Sequence, residues 1–172
     1  MPLRELRPDP VLDGGMNGGG GRAEGRGDGR AALLYADGAA RGNPGPAALG
    51  VVLYDGDGRL LTEFGEYIGR ATNNVAEYHA LIRGLEAARA AGITVLHVFL
   101  DSELLVRQLN GQYRVKSPSL LPLHGQARAL LAGFQSARVE HVGRGGNRRA
   151  DLLANRALDQ ARAGGQDPAA GR

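Results

Sequence analysis

The sequence predicts an α/β domain: a mixed five-stranded sheet with helices on its faces, its elements in the order βββαβααβα. Three observations carry that prediction. Three apolar, strand-like segments open the folded part, with turn residues between them. The hydrophobic period then changes to three and four residues after Thr72. A near-continuous apolar run rich in β-branched residues, ITVLHVFLD, follows that helix.

AALLYADGA, from Ala31, is apolar and alternating and reads as the first strand. AALGVVLYD is the second, the DGDG at residues 55–58 is a hairpin signal, and RLLTEFGEYIG is the third, so the domain opens with an antiparallel meander. Thr72 is placed to cap a helix in which Val75, Tyr78, Ile82, Leu85 and Ala88 recur on one face, and Gly92 stops it. ITVLHVFLD fits a strand buried on both faces. SELLVRQLNG is a short helix, residues 118–134 contain a longer one, ARVEHVG is the fifth strand, and NRRADLLANRALDQARA is a final amphipathic helix.

The domain is therefore expected at residues 31–162. Residues 1–30 include LDGGMNGGGGRAEGRGDGR, which follows neither period and carries few large apolar groups to offset the entropy of ordering; they are expected to be a disordered tail. AGGQDPAAGR, residues 163–172, reads the same way.

Composition sets further bounds. A chain of 172 residues with 42% hydrophobic residues can bury a core as one domain. The absence of cysteine excludes disulfides and cysteine-based zinc sites. No stretch is long and apolar enough to span a bilayer, and MPLRELRPDP lacks the apolar centre of a signal peptide, so no membrane partner and a cytoplasmic location are expected. No dimer stripe is evident, which makes a monomer the default. The net charge is +3, and nearly all the positive charge is arginine, Lys116 being the only lysine. Arginine can grip phosphate bidentately, but charge alone equally describes a solvated face.

The acids are more informative. Asp37 stands in YADGAARGNPGPAA, Glu77 in TNNVAEYHAL, Asp101 in VFLDSELLV and Asp151 in NRRADLLAN. Asp101 ends the buried strand, where open α/β sheets bind ligands. Glu77 and Asp151 sit near helix starts, where negative charge is favoured in any case. Asp37 is harder to assign to structure, because an acid inside an apolar strand needs a partner or a metal. Converging carboxylates stay ionised together only if cations neutralise them, and hard oxygen ligands suit Mg²⁺ or Mn²⁺. Two such ions ~4 Å apart can activate a water and stabilise a leaving oxygen in an in-line displacement.

These four frames resemble the type 1 ribonucleases H, of the ribonuclease H-like superfamily, over about residues 33–161. DGAARGNPGPAA looks like the family's first-strand motif, TNNVAEYHAL its first-helix motif, DSELLVRQL its fourth-strand motif and ADLLAN its last-helix motif. The resemblance implies endonucleolytic hydrolysis of the RNA strand of an RNA/DNA hybrid by two Mg²⁺ ions, with Mn²⁺ able to substitute. Asp37, Glu77, Asp101 and Asp151 match the metal-binding acids. Gly42, Asn43, Asn73 and Asn74 match residues that contact the hybrid. Asparagine suits 2′-hydroxyls and base edges in a wide minor groove, whereas helix capping and a rigid turn are the structural readings of the same residues.

Two departures stand out. Many members carry a basic, tryptophan-rich protrusion between helices; here NGQYRVKSPSLLPLH is short, has no tryptophan and is charged only at Arg114 and Lys116. The chain thus resembles the compact subgroup lacking the protrusion. The family also often uses a histidine before the last helix. His141 has the matching distance to Asp151 but falls in a predicted strand, so Arg144 is favoured as the auxiliary residue, to hold phosphate or stabilise the leaving group, and His141 is the second choice. An ordinary guanidinium cannot serve as a general base. His79, His97 and His124 receive no role. The alternatives are a broader nuclease that also cuts double-stranded RNA, and a non-catalytic hybrid-binding module on the same fold.

Overall fold

The computed structural model describes residues 30–165; of the tails expected at 1–30 and 163–172, residues 1–29 and 166–172 lie outside the described residues. The elements are β1 (Ala31–Ala40), β2 (Gly45–Asp55), β3 (Leu60–Ala71), α1 (Asn73–Ala90), β4 (Val95–Leu100), α2 (Glu103–Leu109), α3 (Leu121–Ala132), β5 (Ser136–His141), a 3-10 turn (Arg144–Asn147) and α4 (Arg148–Ala163). Their order is the one the hydrophobic periods predict. The sheet runs β3-β2-β1-β4-β5, with β1, β2 and β3 antiparallel and β4 and β5 parallel to β1.

Alternation along the strands divides the core between two layers. Leu34 and Ala36 of β1, Leu49, Val51 and Leu53 of β2, and Leu96, Val98 and Leu100 of β4 pack with Tyr78, Leu81 and Leu85 of α1 and with Leu105 and Leu109 of α2. Their neighbours of opposite parity, Leu33, Tyr35, Val52 and Phe99, meet Ala150 and Leu153 of α4 on the other face. Helix α4 seats closely because β2 and β3 present glycines to it. A Cβ on Gly50 would lie 2.0 Å from the Ala150 carbonyl oxygen, and one on Gly65 would lie 2.3 Å from that of Leu153.

The predicted punctuation is present. Asp55 Oδ1 accepts from the backbone N–H groups of Asp57 and Arg59, closing the hairpin. Thr72 Oγ1 accepts from Val75 N at 3.2 Å and caps α1, and Gly92 leaves the helix at φ +79°. The buried surface of α1 is wider than the expected stripe: Ala76, Ala80, Leu81 and Gly84 are also buried. The helix is packed on one side by the sheet and on another by α3. The Tyr78 hydroxyl, in this core, donates to Gln108 Oε1 at 2.7 Å and ties α2 to α1.

Two boundaries differ from the sequence expectation. Arg30, assigned to the tail, accepts from the N–H groups of Thr94 and Val95 through its carbonyl oxygen and gives Nη1–H to Ala91 O, which joins it to the start of the β1–β4 ladder. Helix α4 runs to Ala163, one residue beyond the expected domain end.

The parallel ladder between β1 and β4 ends with the pair Ala36 and Leu100. The next residues, Asp37 and Asp101, therefore stand side by side at the carboxyl ends of these two strands, where such a sheet opens a crevice.

Candidate active site

Asp37 is 4% exposed, an acid inside β1 at a position flanked by apolar core. The next residue explains how a second acid reaches it. A Cβ on Gly38 would fall 2.3 Å from the Ala76 carbonyl carbon and 2.4 Å from Glu77 N, so glycine is what allows the first turns of α1 to lie against β1. Gly38 N then donates to Glu77 Oε1 at 3.3 Å. Asp101 follows β4 directly. The result is a cluster in which one carboxylate oxygen each from Asp37, Glu77 and Asp101 lies within 4.8 Å of the others.

Asp151 is brought from the other side of the sheet. It lies in the first turn of α4, is exposed, and joins the three acids in lining one cleft of about 410 Å³. The arrangement is thus a tight group of three with a fourth acid at its rim, rather than four equivalent acids. The physical reason is that α4 packs on the face opposite to α1.

The electrostatics follow from burial and like charge. Burial first, then the Glu77 and Asp101 charges and a hydrogen bond to Asp151, push the Asp37 carboxyl up to about 10. Burial and the Asp101 charge push Glu77 up to about 8, against the opposing pull of the Gly38 N–H and of Arg144. Without a counter-cation these groups hold protons that isolated carboxyls would have lost. A hard divalent cation of the Mg²⁺ or Mn²⁺ class fits this donor set, which offers oxygen ligands from three elements in an open, polar cleft.

The remaining expected residues separate clearly. Arg144, at the start of the 3-10 turn, lines the cleft together with Asn73 and Ser102. His141 ends β5 in register with Leu100, is exposed, and is not among the cleft residues. Gly42 occupies the turn after β1 at φ +106°, a left-handed conformation suited to glycine. Asn43 Oδ1 accepts from Asn73 N at 2.9 Å, so this side chain fastens the turn to the start of α1. Asn74 is half-buried in the first turn of that helix and does not line the cleft.

Three supporting residues lie within the quoted motifs but are not singled out there as site residues. Gly38 is flagged only by its place after an acid. Asn147, 1% exposed, donates from Nδ2 to Ala36 O at 3.0 Å and pins the start of α4 beside Asp37. Asn155 donates from Nδ2 to Asp151 Oδ1 at 3.2 Å. Its signal was the four-residue helical spacing from Asp151.

Comparison with known proteins agrees with this fold. The family described as "Reverse transcriptase-like" matches residues 35–157. Ribonuclease HI of Halobacterium salinarum is 52% identical over 127 residues, covering 74% of this chain and 64% of that protein. The N-terminal ribonuclease H domain of Rv2228c from Mycobacterium tuberculosis, solved as a fusion with maltose-binding protein, superposes with a TM-score of 0.76 at 46% identity, covering 79% of this chain and 99% of that one. LC11-RNase H1, solved in complex with an RNA/DNA hybrid, superposes with a TM-score of 0.72 at 44% identity over 76% of this chain and 98% of that one. The chain spans 64% of the length of the Halobacterium relative and 39% of that of the Mycobacterium tuberculosis bifunctional protein Rv2228c.

Proposed function

Since the chain belongs to the type 1 ribonuclease H family, we propose that it hydrolyses the RNA strand of RNA/DNA hybrids internally, with two divalent cations held by Asp37, Glu77, Asp101 and Asp151. The observation that carries this reading is the approach of three carboxylates from three separate elements to within 4.8 Å, two of them pushed far above the usual carboxylate range. When bound, Mg²⁺ or Mn²⁺ would supply Lewis-acid activation of the attacking water and charge neutralisation at the phosphate.

The chain's own residues do the rest. Asp37, deepest in the cleft, is the shared centre of the acid group. Glu77, held by the Gly38 N–H, keeps one carboxylate oxygen turned toward Asp37. Asp101 closes the group from β4, and Asp151 faces it from α4. Arg144, on the same cleft wall, is suited to hold a phosphate oxygen or to stabilise the departing one. Asn73 borders the cleft, where an amide can meet 2′-hydroxyls and base edges of the hybrid's minor groove. Gly42 and Asn43 shape the adjacent turn, Asn74 lies in the first turn of α1, and all three contact the hybrid. A monomer in the cytoplasm is the working state; no helix among the described residues is long and apolar enough to cross a membrane.

The test is cleavage of an end-labelled RNA/DNA hybrid beside matched double-stranded and single-stranded RNA, with Mg²⁺, Mn²⁺ or EDTA. Metal-dependent internal cuts in the RNA of the hybrid are expected. Equal cutting of double-stranded RNA would establish the broader nuclease, and hybrid binding without cutting in either metal would establish the non-catalytic module.

A further inference from the structure

The rim acid, Asp151, is exposed on the first turn of α4, and an exposed carboxylate left to itself samples several rotamers. Asn155 lies one turn further along the same helix face. Its Nδ2 donates to Asp151 O at 3.0 Å and to Asp151 Oδ1 at 3.2 Å. Its Oδ1 accepts from Arg41 Nη2 at 3.3 Å, across 114 residues of chain. The same Arg41 Nη2 lies 3.4 Å from Asn155 O and forms an ion pair with Asp159 Oδ1 at 2.9 Å, so this one guanidinium nitrogen is held against α4 at Asn155 and Asp159.

The chemistry of the amide makes this a directional chain. An asparagine amide has a donor end and an acceptor end. A guanidinium can only donate and a carboxylate can only accept, so Arg41 and Asp151 both select the same amide orientation. The reverse orientation would set NH₂ against the cation and oxygen against the anion.

We infer that Arg41 and Asn155 are positioning residues that orient the Asp151 carboxylate toward the acid cluster, tying the turn after β1 to the fourth acid of the cleft. This inference rests on the proposed ribonuclease reading. The turn at residues 41–44 thereby reaches both helices that carry acids: Asn43 fastens the start of α1, the helix of Glu77, and Arg41 fastens α4, the helix of Asp151. Neither Arg41 nor Asn155 lines the cleft. Their effect passes through Asp151.

The experiment uses the full chain and measures Mn²⁺ binding by titration calorimetry together with kcat and KM on an RNA/DNA hybrid. It compares the wild type, N155A, R41A, D151N and N155A/D151N. Loss of an outer partner to a ligand costs about tenfold at the low end of the usual range. N155A is expected to weaken Mn²⁺ binding and lower kcat by about that factor, with KM nearly unchanged. R41A is expected to move both in the same direction by less. In the D151N background, N155A should add nothing.

Wild-type Mn²⁺ affinity and kcat in N155A would overturn the inference, as would an N155A effect that persists in the D151N background. A rise in KM alone would also overturn it, since it would make these residues substrate contacts. A wild-type protein that neither binds Mn²⁺ nor cuts the hybrid would instead overturn the ribonuclease reading, and the relay with it.

Discussion

Asp37→Asn is expected to abolish hybrid cleavage and, at the same time, to stabilise the metal-free protein. The magnitude follows from the site. Asp37 is 4% exposed, and burial with its acidic neighbours moves its carboxyl from 3.8 to about 10. Between those two values the folded protein holds a proton that the unfolded chain has released, so stability falls as pH rises. The stabilising contribution is fully present below 3.8, declines through neutrality, and is gone above about 10. By pH 7 the loss is on the order of 4 kcal/mol. An amide of the same shape carries no such linkage. It does have hydrogen-bond needs of its own, so a net gain of about 2–4 kcal/mol is expected. For a domain of this size that raises Tm by roughly 5–15 °C. Calorimetry in EDTA at pH 5, 7 and 9 reads the effect directly: the variant should melt above the wild type, with a gap that widens as pH rises. Added Mn²⁺ should raise the wild-type Tm, most at high pH, and the variant Tm by less. A variant that melts at or below the wild type, or a gap independent of pH, would refute the premise that buried like charge dominates this cleft.

Gly38→Ala should destabilise the fold by about 1–3 kcal/mol or more, because a Cβ there meets backbone that cannot swing aside; the denaturant midpoint checks this. The same variant should lose at least ~10-fold in kcat, since Glu77 must back away from Asp37 and misplacement near a reacting centre is costly. Tyr78→Phe leaves Gln108 Oε1 buried without its donor and should cost about 1–3 kcal/mol in a urea titration, with cleavage per folded molecule unchanged. Arg144→Ala should lower kcat on the hybrid by at least ~10-fold, whereas His141→Ala should stay within about twofold; the reverse result would exchange their roles.

Much of this protein is written in short-range patterns. Apolar runs bounded by turn residues mark β1 to β3, and the DGDG turn joins two of them. Thr72 caps α1, and a β-branched run identifies the buried β4. Each signal acts within one element, so it survives without knowledge of the partner. Asp37 and Asp101 were legible for a related reason, one interrupting and one ending an apolar strand, whereas Glu77 and Asp151 sit where helices favour acid and stood out only through the motifs that resemble the family. Chain distance to Asp151 pointed to His141, while its place in a predicted strand favoured Arg144; pairing of His141 with Leu100 puts it in β5, and the chain turns afterwards and carries Arg144 into the cleft.

The sequence by itself determined the element order, because backbone periodicity and capping depend on neighbours a few residues apart, and it marked the four acids as candidates through short motifs that resemble the family. Only the tertiary structure decided how those acids are grouped. Gly38 meets Glu77 across 39 residues, Asn147 reaches Ala36 across 111, and Arg41 reaches Asn155 across 114. The tight triad of Asp37, Glu77 and Asp101, and the rim position of Asp151, depend on such long-range approaches. No local pattern encodes them, because they arise only when separate elements pack to van der Waals contact.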